Sequence, residues 1–191
     1  MEPEQDQRSA VSRVDVTANR AGRKWSRREQ AGRVLWALAH PLFAFSPRPL
    51  WGWRRMLLRL FGATVGREVN VFPSVRITIP WNLTLEDHCA VGDRAILYAL
   101  GPIRIGAKAT VSQYAHLCAG SHDWHDPTMP LTKPPITVGA EVWVCADAFI
   151  GPDVIIENCA IIGARSVVTK NVAHGTIVAG NPAREIGKRN P

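Results

Sequence analysis

Along most of this chain the large aliphatic residues return at every sixth position. Val65, Val71, Ile77 and Leu83 form one run, and Leu85, Val91, Leu97 and Ile103 the next. Ile105, Val111 and Leu117 form a third, and Val138, Val144, Ile150, Ile156, Ile162 and Val168 a fourth. Glycine often follows the aliphatic residue, and a small or branched residue often sits four places after it, as at Val69, Ala95, Ala109, Ala148 and Ser166. This period does not fit an amphipathic helix, whose turn of about 3.6 residues would carry the pattern around the axis within two repeats. Hairpin sheets would need NG or DG turns, which the repeat lacks. A six-residue unit suits a short strand and a corner, so that three units close one triangular coil.

Coil starts at 65, 85, 105, 138 and 156 predict about five coils. Stacked at about 4.8 Å, they make a prism roughly 20–25 Å tall. The aliphatic column points inward, and the glycines are expected to supply tight backbone at the corners. Between 105 and 138 a coil carries 13 extra residues, an inserted loop at 121–135. The series also slips by two residues at 83–85 and 103–105, and the pattern offers no reason for it.

Before residue 65 the period is helical. Trp53, Met56, Leu57, Leu60 and Phe61 share one face of an amphipathic helix over 50–62, with Arg54, Arg55 and Arg59 on other faces and Gly62 as the stop. Residues 30–45 form an apolar helix ended by Pro41, and SPRP at 46–49 is a linker. Residues 1 to about 30 are charged and poor in large apolar residues, so disorder or a frayed helix is expected. The chain thus divides into a basic tail with an apolar helical segment at 1–49, the helix at 50–62, and the repeat domain with its C-terminal extension at 65–191.

Charge sharpens that division. The net +7 lies wholly in residues 1–59, with 12 Lys and Arg against 5 Asp and Glu; residues 60–191 hold 11 of each. Basic residues mixed with Trp, Leu and Phe suit a membrane surface or nucleic acid; a solvated tail plus a packed helix is the plainer reading. No nucleic-acid motif accompanies them. No apolar run reaches the length of a membrane span, and the polar N-terminus lacks the apolar stretch of a signal peptide. The four cysteines form no CxxC pair and read as reduced, small core residues of a cytoplasmic protein.

The [LIV]-G-x-x-[STAV]-x repeat resembles the hexapeptide-repeat acyltransferases. The blocks WNLTL (81–85), VSQYAHLCAGSHD (111–123), PPITVG (134–139), VWVCADAFIGPDV (142–154), GARSVVTK (163–170) and VAGNPAR (178–184) resemble the colanic acid biosynthesis acetyltransferase group. Maltose and galactoside O-acetyltransferases resemble the chain more distantly, and the likeness covers about residues 50–187. It implies a left-handed parallel β-helix, an exception to right-handed crossover. It also implies a homotrimer with active sites between neighbouring prisms, and acetyl transfer from acetyl-CoA to a hydroxyl of a sugar or exopolysaccharide precursor. If that precursor is lipid-linked, residues 25–61 would rest on the inner face of the membrane.

Within this frame His122, where the inserted loop departs, is the expected general base, since a neutral imidazole can take a hydroxyl proton. Asp123 or Asp126 could orient its ring. His116 is structural or an acceptor contact, and Asn82 either an acceptor contact or a stacked corner residue. The resemblance places acetyl-CoA against Trp143, Ala146, Ala164, Thr169, Lys170 and Arg184, with the cations toward its phosphates. No metal is expected. A γ-type carbonic anhydrase would use the same prism but needs three imidazoles around zinc. His88, His116 and His122 are spaced by 28 and 6, unlike that family's pattern. A non-catalytic, membrane-associated scaffold is the other alternative.

Overall fold

A computed structural model describes residues 14–189. From residue 64 the chain winds through three parallel sheets. The first contains Thr64–Val65, Leu83–Leu85, Ile103–Ile105, Ile136–Val138 and Ile155–Ile156. The second runs from Asn70–Val71 through Ala90–Val91, Thr110–Val111, Trp143–Val144 and Ile161–Ile162 to Thr176–Ala179, where Arg184–Lys188 returns antiparallel. The third holds Arg76–Ile77, Ile96–Tyr98, His116–Cys118, Phe149–Ile150 and Val167–Val168.

Register follows the sixfold spacing. Val65, Leu85, Ile105, Val138 and Ile156 stand one above another, and so do Ile77, Leu97, Leu117, Ile150 and Val168. All are buried. The result is a β-solenoid of about six coils: a partial sixth follows the five, because Val172 bridges to Ile156 of the first sheet and Thr176–Ala179 adds a strand to the second.

The corners correct one expectation. Glu68, Arg94, Lys108, Glu141, Asp153 and Arg165 carry φ of 54–61°, and each lies two residues after a repeat glycine. Left-handed backbone costs such residues about 1–2 kcal/mol. The N–H groups of Arg94, Lys108, Glu141 and Arg165 bond the neighbouring coil, as Lys108 N does to Asp87 O (2.9 Å) and Glu141 N to Ala107 O (2.9 Å). The glycines answer a different need, close approach between coils. A Cβ at Gly106 would sit 2.5 Å from the carbonyl carbon of Gly139, and one at Gly92 would sit 2.8 Å from Gln113 N.

The two slips also acquire a cause. Both fall at the corner between the third and first sheets, where Ile79, Ala99 and Leu100 are buried. The first seats Trp81 against Gly32 and Gly62; the second tucks Gly101 under the carbonyls of Lys133 and Pro134, the root of the inserted loop.

Three helices precede the solenoid: α1 (Val16–Ala21), α2 (Arg27–Ala44) and α3 (Trp51–Leu60). The segment expected to be disordered or a frayed helix thus includes α1, capped by Asp15, whose side chain accepts from Ala18 N at 2.9 Å. The first 13 residues of the tail lie outside the described residues. A capping box of Ser26 and Glu29 starts α2. Pro41 was expected to end it, yet α2 continues to Ala44. Trp36 and Phe43, one on each side of the proline, are buried, and Trp36 Nε1 donates to Ile77 O at 2.9 Å. That docking outweighs the backbone bond proline cannot make.

The packed face of α3 keeps only Leu57 and Phe61 of the expected stripe. Leu57, Leu58 and Arg54 are buried, whereas Trp53, Met56 and Leu60 face outward, Leu60 at 76% exposure. The helix closes the end of the first coil, where outward-pointing carbonyls need donors. Arg54 Nε donates to Val71 O (2.6 Å), Arg55 Nη1 to Val69 O (3.1 Å) and Arg59 Nη2 to Val65 O (2.7 Å) and Gly66 O (2.8 Å). The buried Arg54 also reaches Ser46 Oγ, Pro47 O and Arg48 O, tying the linker to the same coil.

Candidate active site

His122 ends the short strand Ser121–His122, which pairs antiparallel with Leu131–Thr132 and so makes the inserted loop a narrow hairpin. Its ring is exposed, and Nδ1 lies 2.6 Å from the carbonyl oxygen of Met129. A carbonyl only accepts, so Nδ1 carries the proton, and in the neutral ring Nε2 holds the lone pair. The partner of Nδ1 is therefore this carbonyl and not a carboxylate. Asp123 Oδ1 accepts from His125 N (3.0 Å), and Asp126 Oδ1 from Thr128 N and Oγ1 (both 2.8 Å). The Thr128 bonds hold the Asp126 carboxyl below its ordinary pKa. These acids shape the loop turn. Met129 itself has φ of 44°.

His116 stands on the third sheet, half-buried between the edges of Phe149 (5.3 Å) and Tyr98 (6.4 Å). Its Nε2 is buried without a hydrogen-bond partner. It lines a groove of about 970 Å³ between α2 and the third sheet, with Arg33, Trp36, His40, Arg76, Thr78 and Tyr98 among its neighbours. Burial and then the Arg76 charge lower the pKa of both His116 and His40, favouring neutral rings. Asn82 sits at a corner, its Nδ2 donating to Ala99 O (2.9 Å) and Leu100 O (2.8 Å) of the next coil.

The expected cofactor residues gather in two places. Thr169, Lys170 and Arg184 line a cleft of about 310 Å³ at the C-terminal end. Ala146 and Ala164 occupy successive coils of the corner between the second and third sheets, linked by Arg165 N to Ala146 O (3.0 Å). Trp143 stands half-exposed on the second sheet, Nε1 donating to Ser112 Oγ at 2.9 Å. His122 leaves from a different edge, between the third and first sheets, so the width of one sheet separates it from Ala146. Among the described residues, no cluster of three His, Cys, Asp or Glu side chains could hold a metal ion, and no helix is long and apolar enough to cross a membrane. The four cysteines are free thiols; burial raises the Cys89 pKa to about 12.

A search of family models returned no match. The chain is 45% identical over 157 residues to WcaF of Escherichia coli (strain K12), a protein named as a colanic acid biosynthesis acetyltransferase; the match covers 82% of this chain and 86% of that protein. A maltose O-acetyltransferase from Clostridium difficile 630 superposes with a TM-score of 0.80 at 23% identity, covering 87% of this chain and 90% of that one. A hexapeptide-repeat acetyltransferase from Vibrio cholerae O1 biovar eltor, solved with acetyl coenzyme A, gives 0.79 at 21% identity, covering 88% and 93%. The chain belongs to the hexapeptide-repeat acetyltransferases.

Proposed function

We propose that the protein transfers acetyl from acetyl-CoA directly to a hydroxyl of a sugar or exopolysaccharide precursor, with His122 as general base. The observation that carries this is the bond from His122 Nδ1 to Met129 O, which leaves Nε2 able to accept a proton at the exposed end of the hairpin's first strand. As the acceptor oxygen forms its bond to the acetyl carbon, its proton passes to Nε2. The thioester C–S bond then breaks, and the imidazolium returns the proton to the CoA thiolate. Backbone N–H groups, that of Ala146 among them, would stabilise the oxyanion. Lys170 and Arg184 would meet the CoA phosphates, with Trp143, Ala164 and Thr169 along the arm.

The groove beside His116 is the other place an acceptor sugar could rest, against Tyr98 and Arg76. Because His122 and Ala146 lie on different edges, a neighbouring prism would complete each site, in keeping with a homotrimer. Exposed Leu35, Leu38, Leu42 and Phe45 form a stripe on α2, and Trp53 Nε1 bonds Leu42 O at 3.0 Å, joining it to the outward face of α3. With exposed Arg27 and Arg28 at the start of the same helix and exposed Arg48 just after it, that stripe suits an anionic membrane surface and a lipid-linked acceptor. The deciding measurement is turnover of acetyl-CoA with a saccharide panel. His122→Ala should lower kcat by at least about 10²-fold, and near-normal turnover in a folded variant would remove the base assignment.

A further inference from the structure

We propose that Asn19, on α1, is a positioning residue of the active site. Its side chain holds the carbonyl that keeps the proton of His122 on Nδ1. The inference rests on His122 being the base.

Two donors converge on the Met129 oxygen: His122 Nδ1 at 2.6 Å and Asn19 Nδ2 at 2.7 Å. A carbonyl oxygen has two lone pairs, and both are used. The same Nδ2 donates to Thr128 O at 2.6 Å, while Asn19 Oδ1 accepts from Lys24 Nζ at 3.0 Å. Both carbonyls can only accept and the ammonium can only donate, so the partners fix which way the amide faces. Few side chains can serve here. The residue must offer two N–H bonds from one nitrogen to adjacent carbonyls, on a stem short enough to leave α1 against the loop.

Other contacts place Asn19 there. Asp15 N donates to Pro127 O at 2.8 Å, one residue before Thr128. Lys133, just after the hairpin, donates to Lys24 O at 3.2 Å and sets its ammonium 3.7 Å from the Trp25 ring centre. Residues 15–25 therefore strap the returning half of the inserted loop, from Pro127 to Lys133. The loop needs it. Its strands pair through only two residue pairs, and its largest apolar side chain, Trp124, is 73% exposed. Met129 adopts left-handed backbone, which does not hold itself in place without partners.

The chemical consequence concerns the tautomer. A base must present a lone pair, and His122 presents one on Nε2 only while Nδ1 keeps the hydrogen. If the Met129 carbonyl swings away, the proton is free to move to Nε2, and the outer atom becomes a donor. Asn19 touches no reacting atom; it acts through Met129.

The test compares Asn19→Ala and Asn19→Asp with the full-length protein. Since α1 buries no residue, both variants should fold, which thermal melting checks. Nitrogen NMR of histidine-labelled protein, with the His122 signals identified by their loss in His122→Ala, should show the Nδ1–H tautomer in the parent and its loss in both variants. With acetyl-CoA and the saccharide panel, Asn19→Ala should lower kcat roughly tenfold at unchanged KM for acetyl-CoA. Asn19→Asp should fall further, because its carboxylate would face two carbonyl oxygens. A His122 tautomer unchanged in Asn19→Ala overturns the proposal, whether or not kcat falls. Near-normal turnover by His122→Ala would instead overturn the base reading and leave the tautomer result to be scored by itself.

Discussion

The solenoid and the helices at its foot obey opposite rules for burial. In the solenoid the residue that repeats is the residue that is hidden: Leu85, Ile105, Leu117 and Ile150 are fully buried. In α3 much of the face that a helical wheel marks as apolar, Trp53, Met56 and Leu60, is turned outward, and a fully buried arginine sits beneath the helix. The difference comes from what each element packs against. Every coil lies between similar coils whose backbone groups are already paired, so only side-chain volume is left to satisfy. The helix lies on the open end of a coil, where unpaired carbonyls make donors more valuable than hydrocarbon.

The largest test of this contrast uses one chemistry in both regions. Leu117→Ala should destabilise the protein by about 2–5 kcal/mol, and Leu60→Ala by less than about 0.5, read from denaturant midpoints. Comparable losses would break the comparison. A second pair sharpens the corners within the solenoid. Gly106→Ala should cost about 1–3 kcal/mol through its clash with Gly139, while Lys108→Gly should be near neutral, since it relieves left-handed strain but adds unfolded-state entropy. The reverse order would mean that the repeat glycines serve conformation and not clearance. The smallest expected change in stability comes from α2. Leu38→Glu with Phe45→Glu should leave the melting temperature almost unmoved yet weaken flotation with phosphatidylglycerol vesicles roughly tenfold. Unchanged flotation, or a parent protein that does not float, would remove the membrane reading, and a change of oligomeric state in the variant would assign the stripe to a second copy.

These two regions also mark how far the sequence could be read. The ladder from Val65 to Val168 was legible because a sixfold period leaves no other regular element available. The place of His122 on the inserted hairpin was legible because an insertion interrupts that period beside it. The left-handed corner residues were not, since glycine drew attention to the position two before them. Pro41 and the α3 stripe misled because local propensity competes with docking: Trp36 and Phe43 hold one, and the carbonyls of Val65, Val69 and Val71 select the buried face of the other. The partner of His122 had no signature at all. A backbone carbonyl has no residue identity, and Asn19 meets it across 110 positions. One consequence is practical. Removing residues 1–49 would strip the strap from the hairpin that carries His122 along with α2, so truncation cannot separate anchoring from turnover.

The three guanidinium groups beneath the first coil have a further effect. A stack of parallel rungs has no internal reason to stop, and an unpaired rim invites the rim of another molecule. By spending arginines on its last row of carbonyls, the chain ends its own column and is kept from growing into a fibre.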